Sequence, residues 1–253
     1  MGDYSGFETE PSMDDISLVS GTGNENRENI ELGDEISLIS GAADLSSEYS
    51  ELAEEWYLLG KSMYELGNYA KARPHLERAL KCGKREAACY LGAMYYRGNG
   101  VEKSYAEAFR YYSMAEGVET TERLFGLAYM YQEGKGTEIN NDKAYQYYKR
   151  VLELAQNGDI NKPVALNNLG VLYANGRGCK KDIRKAMRYY NSAAELGNTA
   201  ACYNLGYRYE YGGDGVAQNM YLAYSSYKRA ADLGHQKSKK KLEESKWDEF
   251  KRD

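Results

Sequence analysis

Two histidines, four cysteines and a glycine-flanked asparagine are the residues with which this 253-residue chain could do chemistry. A histidine acting as general base needs a serine or cysteine nucleophile beside it and an acid to orient it. His75 and His235 stand in no such arrangement. A structural zinc site would show cysteines at CxxC-like spacing, and Cys82, Cys89, Cys179 and Cys202 show none. Gly98-Asn99-Gly100 could offer backbone N–H groups to a phosphate, but Gly-x-Gly recurs at 134–136 and 176–178, where it reads as a turn. There is no Walker sequence, no metal set and no pair of catalytic carboxylates. The expectation is a chain without catalysis, cofactor or metal, whose chemistry is recognition.

The composition suits that role. Tyrosine occurs 26 times against four phenylalanines and two tryptophans, so apolar volume is supplied in a form whose hydroxyl can stay wet. Hydrophobic residues make up 42% of the chain, compatible with a folded core. No apolar run approaches the roughly 20 residues of a membrane-spanning helix, and the first ten residues, MGDYSGFETE, are acidic rather than basic and then apolar. The expected location is the cytoplasm, with reduced thiols and no membrane partner. The net charge of −5 conceals a division: the first 55 residues hold 15 acids and one base, Arg27, so the remainder is basic.

One spacing repeats along the chain. A leucine recurs at Leu59, Leu91, Leu127, Leu169 and Leu205. From the second copy on, a tyrosine follows four residues later (Tyr95, Tyr131, Tyr173, Tyr209) and a glycine three beyond that (Gly98, Gly134, Gly176, Gly212). A second glycine comes next (Gly100, Gly136, Gly178, Gly215), then, eight residues on, an alanine (Ala108, Ala144, Ala186, Ala223). Leucine, a small residue and tyrosine at positions 0, 1 and 4 make one face of a first helix. The glycines end it, and the alanine with a following tyrosine pair marks a second helix packing back. Each unit is an antiparallel helix pair.

This pattern, LG..Y..G.G followed by Ala and YY..A, resembles the Sel-one-like repeat family, a longer-loop relative of the tetratricopeptide repeat. Trp56, Leu59, Gly60, Tyr69, Ala72, Leu76 and Ala79 resemble a tetratricopeptide unit, with Met63 where a tyrosine is usual. The resemblance implies an all-α fold, a right-handed α-α superhelix, and a protein-binding scaffold or adaptor. The division follows: a tetratricopeptide-like unit at 51–83, four repeats at 84–117, 118–160, 161–197 and 198–234, and a polar capping helix at 235–253. The third helix pair departs from the pattern, with Ala128 in place of glycine and an insertion around AQNGDINKP. Secreted members of the family tie helices by cysteine pairs, but Cys89 and Cys202 face alanines here, Ala115 and Ala230 or Ala231. The lysine run after Gly234 reads as a solvated cap, and no nucleic-acid partner is expected.

By analogy with tetratricopeptide grooves, positions two before, two after and five or six after the leucine face a concave surface. The expected partner-binding set is Tyr57, Lys61 and Tyr64; Tyr96 and Arg97; Phe125, Tyr129 and Gln132; Asn167 and Asn175; and Tyr203, Tyr207 and Tyr211. Exposed tyrosines with cations among them are common anchors of protein recognition. An alternative is a single-target inhibitor, an immunity-type protein or a host-directed effector that clasps and blocks one partner.

Residues 1–50 lack helical periodicity and are rich in serine, glycine, asparagine and acid, so a disordered tail is expected. Within them DDISLVSG (14–21) and DEISLISG (34–41) repeat one motif. A short β-favouring run behind two acids can add to the edge of a partner's sheet. The form resembles a SUMO-interacting motif with Ile16, Leu18 and Val19, then Ile36, Leu38 and Ile39, as apolar core. The other readings are a generic docking segment and an intramolecular contact with the basic repeats.

Overall fold

The computed structural model describes residues 45–251, with side chains from residue 50. Residues 1–44 of the expected disordered tail, with the motifs at Ile16, Leu18, Val19, Ile36, Leu38 and Ile39, lie outside the described residues, whereas 45–50 are helical, the start of α1, and correct that boundary. Two compact units divide between Val118 and Glu119. In the first, α1 (Leu45–Glu65) packs on α2 (Tyr69–Lys81), and α3 (Glu86–Arg97) on α4 (Tyr105–Met114), with α2 against α3. In the second, the pairs are α5 (Thr121–Glu133) with α6 (Asn141–Leu154), α7 (Asn161–Asn175) with α8 (Ile183–Glu195), and α9 (Thr199–Tyr211) with α10 (Met220–Asp232). A short α11 (Gln236–Lys241) and a 3-10 turn at Ser245–Trp247 close it. The fold is all-α, built of stacked antiparallel helix pairs. No helix among the described residues is long and apolar enough to cross a membrane.

The four pairs from α3 to α10 share the same few contacts. The first helix ends where Gly98, Gly134 and Gly176 turn left-handed at φ 78°, 66° and 67°, a conformation costly to any residue with a Cβ. The second helix begins at Ser104, Asn140, Asp182 or Asn219, whose side chain accepts the N–H three residues on. The backbone N–H of that capping residue donates to the carbonyl of the repeat tyrosine, Tyr95, Tyr131, Tyr173 or Tyr209, at 3.0, 2.8, 2.9 and 2.8 Å. A single residue thus caps one helix and ties it to its partner.

The tyrosine pair of the second helix has two roles. Its second member, Tyr112, Tyr148, Tyr190 or Tyr227, is almost wholly buried. Three of these rings lie on the small residue of the first helix: a Cβ on Gly92, Gly170 or Gly206 would come within 2.4–2.7 Å of the ring. The first member, where present, stacks on the repeat tyrosine: Tyr95 on Tyr111, Tyr131 on Tyr147 and Tyr173 on Tyr189, with centroids 5.5, 5.9 and 5.5 Å apart. In the last repeat Ser226 takes that place and the stack is missing. Cys89 and Ala115 share one buried cluster, Cys202 and Ala230 another, and all four cysteines are free thiols.

Three departures from expectation have physical reasons. Leu59 is 43% exposed, unlike Leu91 and Leu169 at 0%, because no earlier described helix packs on that side of α1. The insertion is spent on a longer α6, the connection at 155–160 and a 15-residue α7 whose first turn is braced by Asp159 accepting from the Asn161 N–H at 2.8 Å. The helix expected over 235–253 stops at Lys241, and the chain turns to place Trp247, 0% exposed, against Tyr227 and Phe250. Burying that indole outweighs continuing a polar helix in solvent.

Candidate protein-binding surface

In the first unit Tyr90 joins Tyr57 to Tyr64, and Tyr64 holds Arg97. The Tyr90 ring meets Tyr57 at 6.0 Å and Tyr64 at 5.1 Å, both edge to face. Arg97 donates to the Tyr64 hydroxyl at 3.1 Å, and Lys84 sits over the Tyr57 ring at 5.2 Å while paired with Glu54. All four aromatic and guanidinium groups are half-buried, fixed by one another yet still open to a partner. Lys61 stands apart and reaches only Glu65, at 3.9 Å. Tyr96, 4% exposed, turns inward onto Tyr105 and Tyr112.

The second unit sorts its expected residues more sharply. Phe125, Tyr129, Gln132 and Asn167 are between 0% and 7% exposed and offer a partner almost nothing. Phe125 lies on Tyr148, Tyr129 accepts from Lys135 Nζ at 2.7 Å, and Gln132 donates to Glu133. Asn167 belongs to a buried amide chain: Asn204 donates to its Oδ1 at 3.0 Å, it donates to Asn168 Oδ1 at 3.3 Å, and Asn168 donates to the Tyr148 hydroxyl at 2.9 Å. Asn175 is half-exposed and turns its amide to the Val171 carbonyl. In α9, Tyr203 rests between Tyr227 and His235, and Tyr207 lies 4.6 Å from Tyr211, itself 57% exposed beneath Lys241.

The expectation of thirteen groove-facing residues is therefore corrected for Tyr96, Phe125, Tyr129, Gln132 and Asn167. Positions two before and two after the leucine are buried in α3, α5 and α7 and half-exposed only in α1 and α9. Spacing on one helix gives direction but not what covers it. Tyr90 was missed because it sits one residue before Leu91, a position the groove analogy does not sample; its signal was another aromatic within reach of Tyr57 and Tyr64.

Electrostatics support the same sorting. Glu210, 4% exposed, accepts from the Tyr227 hydroxyl at 2.8 Å and pairs with Lys241 at 3.2 Å and with Lys246. It anchors the C-terminal turn rather than lining a surface. Lys241 in turn donates to the exposed Tyr211, so the cap helps position that ring. No cluster of histidine, cysteine and acidic side chains among the described residues could hold a metal ion.

Known proteins share this construction. The Sel1 repeat family matches at 85–116, 124–154, 163–198 and 199–235, and a tetratricopeptide repeat matches at 53–84. No match was found among curated proteins. A Sel1 repeat protein from Oxalobacter formigenes is 28% identical, with a TM-score of 0.61, over 74% of this chain and 73% of that one. Cysteine-rich protein B of Helicobacter pylori is 32% identical over 56% of this chain and 96% of that one, with a TM-score of 0.38. Four successive matches cover more than half of the sequence and fall on helix pairs closed by one recurring set of contacts: the chain belongs to the Sel1 repeat family.

Proposed function

We propose that the chain is a non-catalytic adaptor that holds a partner protein against the half-exposed aromatic surface of its first helices. Repeats of this family typically serve protein–protein interaction rather than catalysis. The observation that carries the reading is the Tyr57–Tyr90–Tyr64 cluster with Arg97: rings and a guanidinium held in place by one another, at the edge of a folded unit. Such groups lose little conformational freedom on binding and bury large area, the combination typical of binding hot spots. Tyr203, Tyr207 and Tyr211 give α9 a second patch of the same chemistry.

The test is capture with the full chain as bait, wild type against Tyr57→Ala/Tyr64→Ala/Arg97→Ala. Proteins that co-purify with the wild type should be lost from the variant while its helical circular dichroism persists; equal capture overturns the reading. Several partners speak for an adaptor, and one stoichiometric enzyme partner for the inhibitor.

A further inference from the structure

Between α6 and α8, over α7, a cavity of about 450 Å³ opens on the second unit. Its apolar part is Leu166 with the stacked rings of Tyr173 and Tyr189; its charged part is Lys149, Lys185 and Arg188, with no carboxylate among the lining residues. Lys185 lies over the Tyr173 ring at 5.3 Å and reaches Asp182 only at 4.0 Å. Lys149 lies over Tyr145 at 5.8 Å, and neither it nor Arg188 has an ion pair among the described residues. The corresponding stack of the second helix pair is compensated, with Arg110 over Tyr111 paired to Glu107 at 2.7 Å. Lys149 and Arg188 thus lack, among the described residues, the carboxylate that Arg110 has in Glu107.

The hydroxyls add donors. Tyr145 and Tyr173 are 2.8 Å apart, so one donates to the other and the acceptor keeps its own proton for a ligand oxygen. Burial first, then the neighbouring Tyr145, raises the Tyr173 phenol, which keeps it protonated. Three cations, a phenolic donor and an apolar wall fit a carboxylate standing beside a branched apolar side chain. Nucleic acid fits less well, because the Tyr173 ring on which a base would stack is already engaged by Tyr189 and Lys185.

We propose that this cavity receives residues 14–21 of the same chain, with Asp14 and Asp15 on Lys149 and Arg188 and Ile16 against Leu166. Acid, acid, isoleucine is the order the lining asks for, and the first 55 residues carry 15 acids against one base. The copy at 34–41 is separated from α1 by only three residues, whereas the 23 residues from 22 to 44 can span up to about 80 Å. Tethering replaces a bimolecular encounter by a local one, so even a weak site is occupied. The cavity shares no residue with the α1–α3 surface.

The experiment uses the full chain with isoleucine δ1 methyls labelled for NMR. Wild type is compared with Lys149→Glu/Arg188→Glu, at about 0.1 M and about 1 M salt, where the screening length falls from roughly 10 to 3 Å. Both side chains are exposed, and an unchanged methyl signal from the buried Ile183 reports that the unit is still folded. Expected are nuclear Overhauser contacts from the Ile16 methyl to Leu166 and the Tyr189 ring, lost in the double variant and in high salt. Adding Asp14→Lys/Asp15→Lys to the double variant should restore them. Ile16 methyl signals identical in wild type and double variant overturn the proposal, as does a response of Ile36 in place of Ile16. A fluorescein-labelled dT10 strand bound by the wild type and released by the double variant would reassign the cavity to nucleic acid.

Discussion

Tyr148 and Tyr190 occupy the same position in successive repeats, and both are 0% exposed, yet their hydroxyls have different surroundings. Asn168 donates to Tyr148 at 2.9 Å, while the Tyr190 hydroxyl has no hydrogen-bond partner among the described residues. Removing one half of a buried hydrogen bond strands the other half. Tyr148→Phe should therefore cost about 1–3 kcal/mol in urea unfolding, and Tyr190→Phe should be close to neutral. His75 supplies a second test at this scale. Burial first, and then the nearby Arg78, hold its pKa below the ordinary 6.5. The folded state thus resists protonation: this contribution to stability is complete above pH 6.5 and is lost as pH falls through the folded-state value. Thermal melts from about pH 7.5 to 5.5 should show a decline that His75→Gln reduces.

Helix boundaries turn on Ser104, Asn140, Asp182 and Asn219, each four residues before the repeat alanine. Asp182→Ala should cost about 1 kcal/mol for the lost cap, read as a lower denaturation midpoint with unchanged slope. These four caps were legible as a column of short polar residues, although the reading by leucine, tyrosine and glycine passed over them. The pairs themselves were legible because period and residue type agree: glycine ends, alanine packs, tyrosine fills. What lay beyond sequence was which face of each first helix a neighbour covers. Tyr96, Tyr129 and Tyr207 look alike along the chain, yet the first two are buried and only Tyr207 keeps a half-exposed ring. Trp247 was illegible for a related reason: its burial depends on a turn after Lys241, which the polar, lysine-rich pattern of 236–241 does not announce.

For the chain as a whole, stability in stacked repeats is nearly a sum of local terms, each unit leaning on its neighbours. Trp247→Ala removes the largest fully buried side chain and should cost about 3–5 kcal/mol, concentrated at the C-terminal end. Hydrogen exchange should speed up in α9, α10 and α11 while α5 to α7 keep their protection; uniform loss would show that the second unit melts as one. The bond from each capping N–H to the repeat tyrosine carbonyl has nearly one length in four copies, 2.8 to 3.0 Å. It is a standard joint, and standard joints permit exchange. A chain cut before Asn140 and rejoined at Asp182 still offers the Tyr131 carbonyl a capping N–H. Lineages carrying such a seam can gain or lose a whole module by recombination without redesigning the core, so the number of modules is free to follow the size of the partner.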